Sequence, residues 1–265
     1  MKEQWHYDPD LDLDQALVRR MRAVTARSNA FICGVRSLAA VVVRAWLRAY
    51  HRLTIVGRHH LPLDRSFVLI ANHASHLDTL CLLSALPLHR LHGAYPAAAK
   101  DYFCVSALRA FLARVAVNAL PFERNFAPWE SLNVCAHLLK ERGNILIVFP
   151  EGTRSRGGEP ADFKPGVAFL AAGRDIPVVP CHLAGTHAAL PKGAWWPRPR
   201  KVRLTIGAPR LYAHLPATKA SAARISRELR EAVISLGQTD AAPEESGETG
   251  PCRERAGGRL EHATP

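Results

Sequence analysis

Ser66-Phe67-Val68-Leu69-Ile70-Ala71-Asn72-His73-Ala74-Ser75-His76-Leu77-Asp78-Thr79 sets a continuous apolar run directly against a polar turn. Residues 66–71 read as a strand of the fully buried kind, since apolar side chains at successive positions leave neither face for water. The turn behind it opens a helix over residues 75–86. A strand that delivers its chain into a helix is the α/β unit. In such sheets ligands gather at the carboxyl ends of the strands, where loops carry the functional groups. His73 stands at that exit, with Asp78 five positions on.

The same alternation extends outward in both directions. Residues 52–57, 93–100, 115–122, 144–149, 176–182 and 201–206 read as extended segments. Residues 101–113, 128–142, 163–173 and 218–236 read as helices, the third closed by Gly173 and the last capped by Thr218. The expected fold class is therefore α/β, with a mixed, mostly parallel sheet flanked by helices. Within 265 residues this leaves room for one core. The expected organisation is a helical segment over 1–50, one α/β domain over 51–237 and a disordered tail over 238–265, rich in Gly, Pro, Glu and Thr.

Apolar residues make up 48% of the chain and charged residues 22%, which excludes disorder as its main state. The formal net charge is +12, and from Gln238 to the end acidic residues outnumber basic ones six to three. The body is thus more basic than the total, which implies an anionic partner: nucleic acid, an anionic membrane face or a phosphorylated substrate. Six cysteines lie scattered, without the spacing of a zinc site or a disulfide framework. Their placement in apolar runs suits a reducing, cytoplasmic compartment.

Residues 31–50 place Arg36, Arg44 and Arg48 within an arc of about 120° at the helical step. Leu, Val, Ala, Trp and Phe fill most of the remaining wheel. An amphipathic helix docked in the headgroup layer of a membrane has this pattern. So does a core helix whose arginines reach out to solvent.

His73 and Asp78 can meet only if the histidine stays in the loop while Asp78 sits in the first helical turn. Ser75 as the N-cap gives that geometry. The pair would then be a base and its orienting carboxylate, suited to taking a proton from a hydroxyl. Ser75 and Asp78 also satisfy the pattern of a capping box, which stabilises a helix start and catalyses nothing. A second strand exit, Ile147-Val148-Phe149-Pro150-Glu151-Gly152-Thr153-Arg154-Ser155-Arg156, carries a glycine for close backbone approach and an arginine fork matched to phosphate oxygens. Lys164 adds a cation beside the next helix start. A solvated basic turn fits the same residues. Arg124, behind Leu120-Pro121-Phe122-Glu123, is a third cation at a strand end.

Taken in order, these stretches resemble the glycerolipid acyltransferases of the 1-acylglycerol-3-phosphate O-acyltransferase family. Asn72-His73 with Asp78 resembles the first block, His-x4-Asp, and Pro121-Phe122-Glu123-Arg124 the second. Phe149-Pro150-Glu151-Gly152-Thr153-Arg154-Ser155 matches the third closely, and Ile176-Pro177-Val178-Val179-Pro180 with Gly185 resembles the fourth. The resemblance covers about residues 54–206. It implies the glycerolipid acyltransferase fold, with His73 as general base and Asp78 orienting it. It implies that Arg124, Glu151, Gly152, Thr153 and Arg154 hold the phosphate and glycerol of a lysophospholipid acceptor. It implies an acyl-CoA or acyl carrier protein thioester as co-substrate, with no further cofactor and no metal. The expected site of action is the cytoplasmic face of the inner membrane. Phe122-Glu123 stands where the family shows Ile and Asp, and Pro165 where a basic residue is commoner. Another lysolipid acceptor, such as a lyso-ornithine lipid or a glycolipid, keeps the same chemistry, and a silent lipid-binding scaffold is the reading from a different class.

Lys192-Gly193-Ala194-Trp195-Trp196-Pro197-Arg198-Pro199-Arg200-Lys201 combines paired tryptophans with clustered cations. Trp rings favour the headgroup level of a bilayer, and cations add attraction to anionic lipid. An exposed loop with its tryptophans packed on the core is the alternative. The chain shows no recognition helix, aromatic RNA-binding strand or zinc module, so nucleic acid is not an expected partner.

Overall fold

The computed structural model describes residues 30–99, 120–122, 128–155 and 160–241. Seven strands among the described residues form one sheet: β1 (Thr54–Val56), β2 (Phe67–Ala71), β3 (Ala94–Ala99), β4 (Leu120–Phe122), β5 (Ile145–Val148), β6 (Val178–Ala184) and β7 (Arg203–Ile206). Their spatial order is β1-β7-β6-β2-β5-β3-β4. Only the β6–β7 pairing is antiparallel among the described residues; the others run parallel. The sheet is thus mixed and mostly parallel, as its sequence pattern predicts.

β2 lies at the centre, with Val68 registered against Leu146 of β5 on one side and Val178 of β6 on the other. All five of its residues are buried. Successive side chains alternate between the two faces of the sheet. Phe67, Leu69 and Ala71 join Ile145, Ile147, Val179 and Cys181 in one core layer. That layer is covered by α1 (Ala30–Tyr50) through Leu47 and by α2 (Leu77–Ala85) through Leu77, Cys81 and Leu82. Val68 and Ile70 face the opposite layer with Leu146 and Val178. There α3 (Pro128–Lys140), α4 (Gly166–Ala171) and the long α6 (Lys219–Ala241) close the core with Leu138, Phe169, Ile225 and Leu229. Each such buried side chain contributes about 1.5–3 kcal/mol relative to its exposed state. A strand buried on both faces needs apolar residues throughout, which is why the runs at 66–71 and 144–149 stand out in the sequence.

Two expectations need correction. The final helix does not stop before the tail: α6 runs to Ala241, with Thr218 Oγ1 accepting the Ser221 N–H at 3.2 Å as its cap. Residues 242–265 lie outside the described part, as do the expected helix over 101–113 and the N-terminal segment before residue 30. The arginine stripe of α1 also does not form the helix's outer face. Arg36 is buried, and the Arg44 guanidinium donates to the carbonyls of Leu83 and Leu86 at the end of α2. The last carbonyls of a helix have no partner within it, so a cation meeting them is well placed. Of the three arginines only Arg48 is exposed. The outward face of α1 is apolar instead: Phe31, Val35, Leu38, Val41 and Val42 are all exposed. By length and composition α1 is long and apolar enough to cross a membrane.

A short helix, α5 (Thr186–Ala189), follows β6 and is not foreseen in the sequence. It leads into the tryptophan loop.

Candidate active site

Because β2 and β5 run parallel and in register from Phe67↔Ile145 to Ile70↔Val148, their exits lie side by side. The loop after β2 carries His73 and the loop after β5 carries Glu151 to Ser155. β4 ends at Phe122 in the same parallel set; Arg124, two residues beyond, lies outside the described residues.

His73 Nδ1 and Asp78 Oδ2 are 2.9 Å apart. The same oxygen accepts the N–H groups of Ala74 at 2.7 Å and Ser75 at 2.8 Å. Asp78 is fully buried, while the His73 side chain keeps 19% of its surface open. The regular helix begins at Leu77, with Ser75 Oγ accepting the Leu77 N–H at 3.2 Å. Capping box and imidazole orienter are therefore one arrangement: the carboxylate that closes the helix start also receives the ring. The His73 ring lies nearly parallel to Phe149, centroids 4.0 Å apart at 16°. With Nδ1 committed to Asp78, Nε2 is the nitrogen left to take a proton from a substrate.

The main chain of His73 is clamped as well. Its N–H donates to Glu151 Oε1 at 2.8 Å, and its carbonyl accepts the Ser155 N–H at 2.8 Å. The second Glu151 oxygen accepts the Ala161 N–H at 3.2 Å. Glu151 is buried; desolvation raises its pKa, partly offset by these two backbone donors. The structure thus places both Glu151 oxygens on backbone N–H groups.

Gly152 sits at φ 72°, in the left-handed region. A Cβ there would come within 2.7 Å of Lys164 Nζ, so the lysine ammonium lies directly against the glycine. Gly152 and Thr153 are exposed and Arg154 half-buried. The charge of Arg154 reaches His76, whose pKa is pushed down to about 4 by burial first, then by Arg154 and His73, against an opposing pull from Asp78. His76 is therefore a neutral neighbour of the site.

Asn72 is the positioning group that pattern reading gives no role. Its side chain is buried, donating to the Leu183 carbonyl at 3.0 Å and accepting the Leu183 N–H at 2.8 Å. The β2–β6 ladder ends at Ala71↔Cys181. The amide of Asn72 takes over where the backbone leaves the sheet, so β6 stays satisfied while the chain turns out to His73. Phe149 and Ser155 likewise support His73 from the neighbouring loop. Their sequence signal is membership of the same strand exit, and of the same block, as Glu151.

The arrangement combines an oriented imidazole, a rigid backbone around it and cations from Arg154 and Lys164 on the adjoining loop. It can remove a proton from a hydroxyl held near an anionic group.

Residues 52–184, from the start of the sheet to the end of β6, match the family model described as Acyltransferase. The chain is 32% identical over 154 residues to a 1-acyl-sn-glycerol-3-phosphate acyltransferase of Limnanthes douglasii, covering 58% of this chain and 52% of that protein. It is 32% identical over 147 residues to a chloroplastic protein of the same name from Brassica napus, covering 55% and 41% respectively. The chain spans about half the length, or less, of these curated relatives. Its fold is similar to the crystal structure of the 1-acyl-sn-glycerophosphate (LPA) acyltransferase PlsC from Thermotoga maritima, with a TM-score of 0.59 at 23% identity, over 88% of this chain and 86% of that one.

Proposed function

This chain belongs to the acyltransferase family, and on that premise we propose that it moves a fatty acyl group from a thioester to the free hydroxyl of a lysophospholipid. The acceptor is 1-acyl-sn-glycerol 3-phosphate, giving phosphatidic acid, and the donor is acyl-CoA or acylated acyl carrier protein. The observation that carries the reading is the 2.9 Å contact of His73 Nδ1 with buried Asp78 at the exit of β2.

His73 Nε2 takes the acceptor's hydroxyl proton as its oxygen attacks the thioester carbonyl carbon. The tetrahedral adduct collapses, the C–S bond breaks, and the departing thiolate receives the proton from the imidazolium. Asp78 holds the Nδ1–H tautomer and stabilises the charged ring while the proton is in transit. No acyl-enzyme and no metal enter the scheme. Arg154 and Lys164 supply the charge that receives the acceptor's phosphate. Arg124 joins them in the family pattern.

Both substrates are amphiphiles, so the chain works at a lipid surface. The exposed apolar face of α1, from Phe31 to Val42, is the surface that supports docking to the cytoplasmic leaflet of the inner membrane.

Wild type and His73→Ala, assayed side by side with labelled acyl-CoA against a panel of lysolipids, test the acceptor and the mechanism respectively. Loss of turnover with the circular dichroism spectrum and vesicle binding unchanged is expected. Acylation at the wild-type rate would refute the scheme. Faster turnover of a lyso-ornithine lipid or glycolipid would move the assignment to that acceptor.

A further inference from the structure

Trp195 and Trp196 are 89% and 65% exposed, and their rings stand 5.8 Å apart at 56°. Aromatic rings of this size normally go into a core or an interface. Lys192, Arg198, Arg200 and Lys201 flank them and are exposed as well. The chain carries no Asp or Glu between Asp175 and Glu228, so nothing in this stretch neutralises those cations.

The loop is held in place. The Arg198 N–H donates to the Ala189 carbonyl at 2.7 Å and closes its neck, while the Ala194 N–H donates to the Pro191 carbonyl at 3.1 Å and forms a turn. Side-chain hydrogen bonds tie its root to the rest of the molecule on both sides. Ser75 Oγ donates to the Leu190 carbonyl at 2.9 Å, and the hydroxyl of Tyr50, the last residue of α1, donates to the Pro197 carbonyl at 3.1 Å. One side of the loop is thus tied to the turn that carries His73, the other to the helix with the exposed apolar face.

We propose that residues 190–201 are a second lipid contact, separate from α1, which seats Trp195 and Trp196 in the headgroup layer of an anionic bilayer. Tryptophan is the residue suited to that layer, apolar in its ring and polar at its indole N–H. Four cations beside the pair, in a stretch that holds no carboxylate, select an anionic leaflet. Through Ser75 the seated loop sets the height of His73 above the lipid surface. This deepens the proposed function and rests on it for the substrate, but the contact itself is tested without turnover.

The test uses the full chain and sedimentation with vesicles of phosphatidylcholine, with and without phosphatidylglycerol. W195A/W196A changes only exposed side chains and is expected to weaken binding to anionic vesicles about tenfold or more. R198Q/R200Q/K201Q is expected to lose about fivefold per charge on anionic vesicles and little on pure phosphatidylcholine. Brominated lipids should quench wild-type tryptophan emission, with most of that quenching lost in W195F/W196F. Unchanged vesicle affinity in W195A/W196A, or quenching as strong in W195F/W196F as in the wild type, would overturn the proposal. Turnover is measured separately, on the wild type alone, with the acceptor offered in detergent micelles. If the wild type acylates nothing there, the functional reading fails while the vesicle measurements still decide the loop.

Discussion

Glu151 holds His73 by its backbone: Oε1 accepts the histidine N–H at 2.8 Å, while Ser155, four residues on, donates its own N–H to the His73 carbonyl at 2.8 Å. The loop after β5 therefore grips the peptide on both sides of the proposed base. A general base loses efficiency when it drifts by a fraction of an ångström, so this grip is part of the catalytic geometry.

Glu151→Ala leaves the N–H groups of His73 and Ala161 without their acceptor. The His73 donor is partly buried, so its loss costs at most about 1–3 kcal/mol, while the exposed Ala161 can turn its N–H to water; activity is expected to fall further than stability does. Glu151→Gln, which keeps one carbonyl oxygen, should lie between. Urea denaturation alongside kcat separates the two effects; an alanine variant with full activity would remove Glu151 from the positioning network.

Asp78→Asn keeps the volume and can still accept N–H groups at the helix start. It no longer offers a charge to the imidazolium, and its amide can force the wrong tautomer. A fall in kcat of about 10²–10⁴-fold is expected, with the acceptor's KM little changed. A comparable loss confined to KM would assign Asp78 to binding.

Asn72→Leu preserves approximate size and removes both bonds to Leu183. The Leu183 N–H and carbonyl then stay buried and unpaired, at about 1–3 kcal/mol each. Asn72→Asp retains the acceptor but sets a carboxylate against the Leu183 carbonyl, and should be no better. Equilibrium unfolding measures the loss; wild-type stability in both variants would contradict the clamp.

His76 titrates near 6.5 in an unfolded chain and near 4 in this fold. Between those values the unfolded state binds more protons, so stability rises with pH. The contribution is fully present above pH 6.5 and is lost as the pH falls to about 4. His76→Gln should flatten the dependence of unfolding free energy on pH across that window. An unaltered slope would place the acid sensitivity on other groups.

Much of the molecule is legible without coordinates. The apolar runs at 66–71 and 144–149 are the central strands because a strand buried on both faces tolerates nothing else. The His73–Asp78 pair is legible for a different reason: its members are five residues apart, and one helix start brings them together. Gly152 shows its role through residue type, since its left-handed backbone favours glycine.

Other features lie beyond any local pattern. Helical periodicity separates the arginines of α1 from its apolar residues but cannot say which side meets the protein. The carbonyls of Leu83 and Leu86 at the end of α2 decided that, receiving Arg44 on the inner side and leaving Phe31, Leu38 and Val42 outside. Asn72 finds its partner 111 residues along the chain, and Glu151 reaches His73 across 78. Amino-acid order by itself determined the alternation of elements and the base with its carboxylate, because those rest on contacts within one turn. The tertiary structure alone decided which polar groups are spent on holding the backbone, because a buried donor or acceptor takes whatever partner the packed sheet sets beside it.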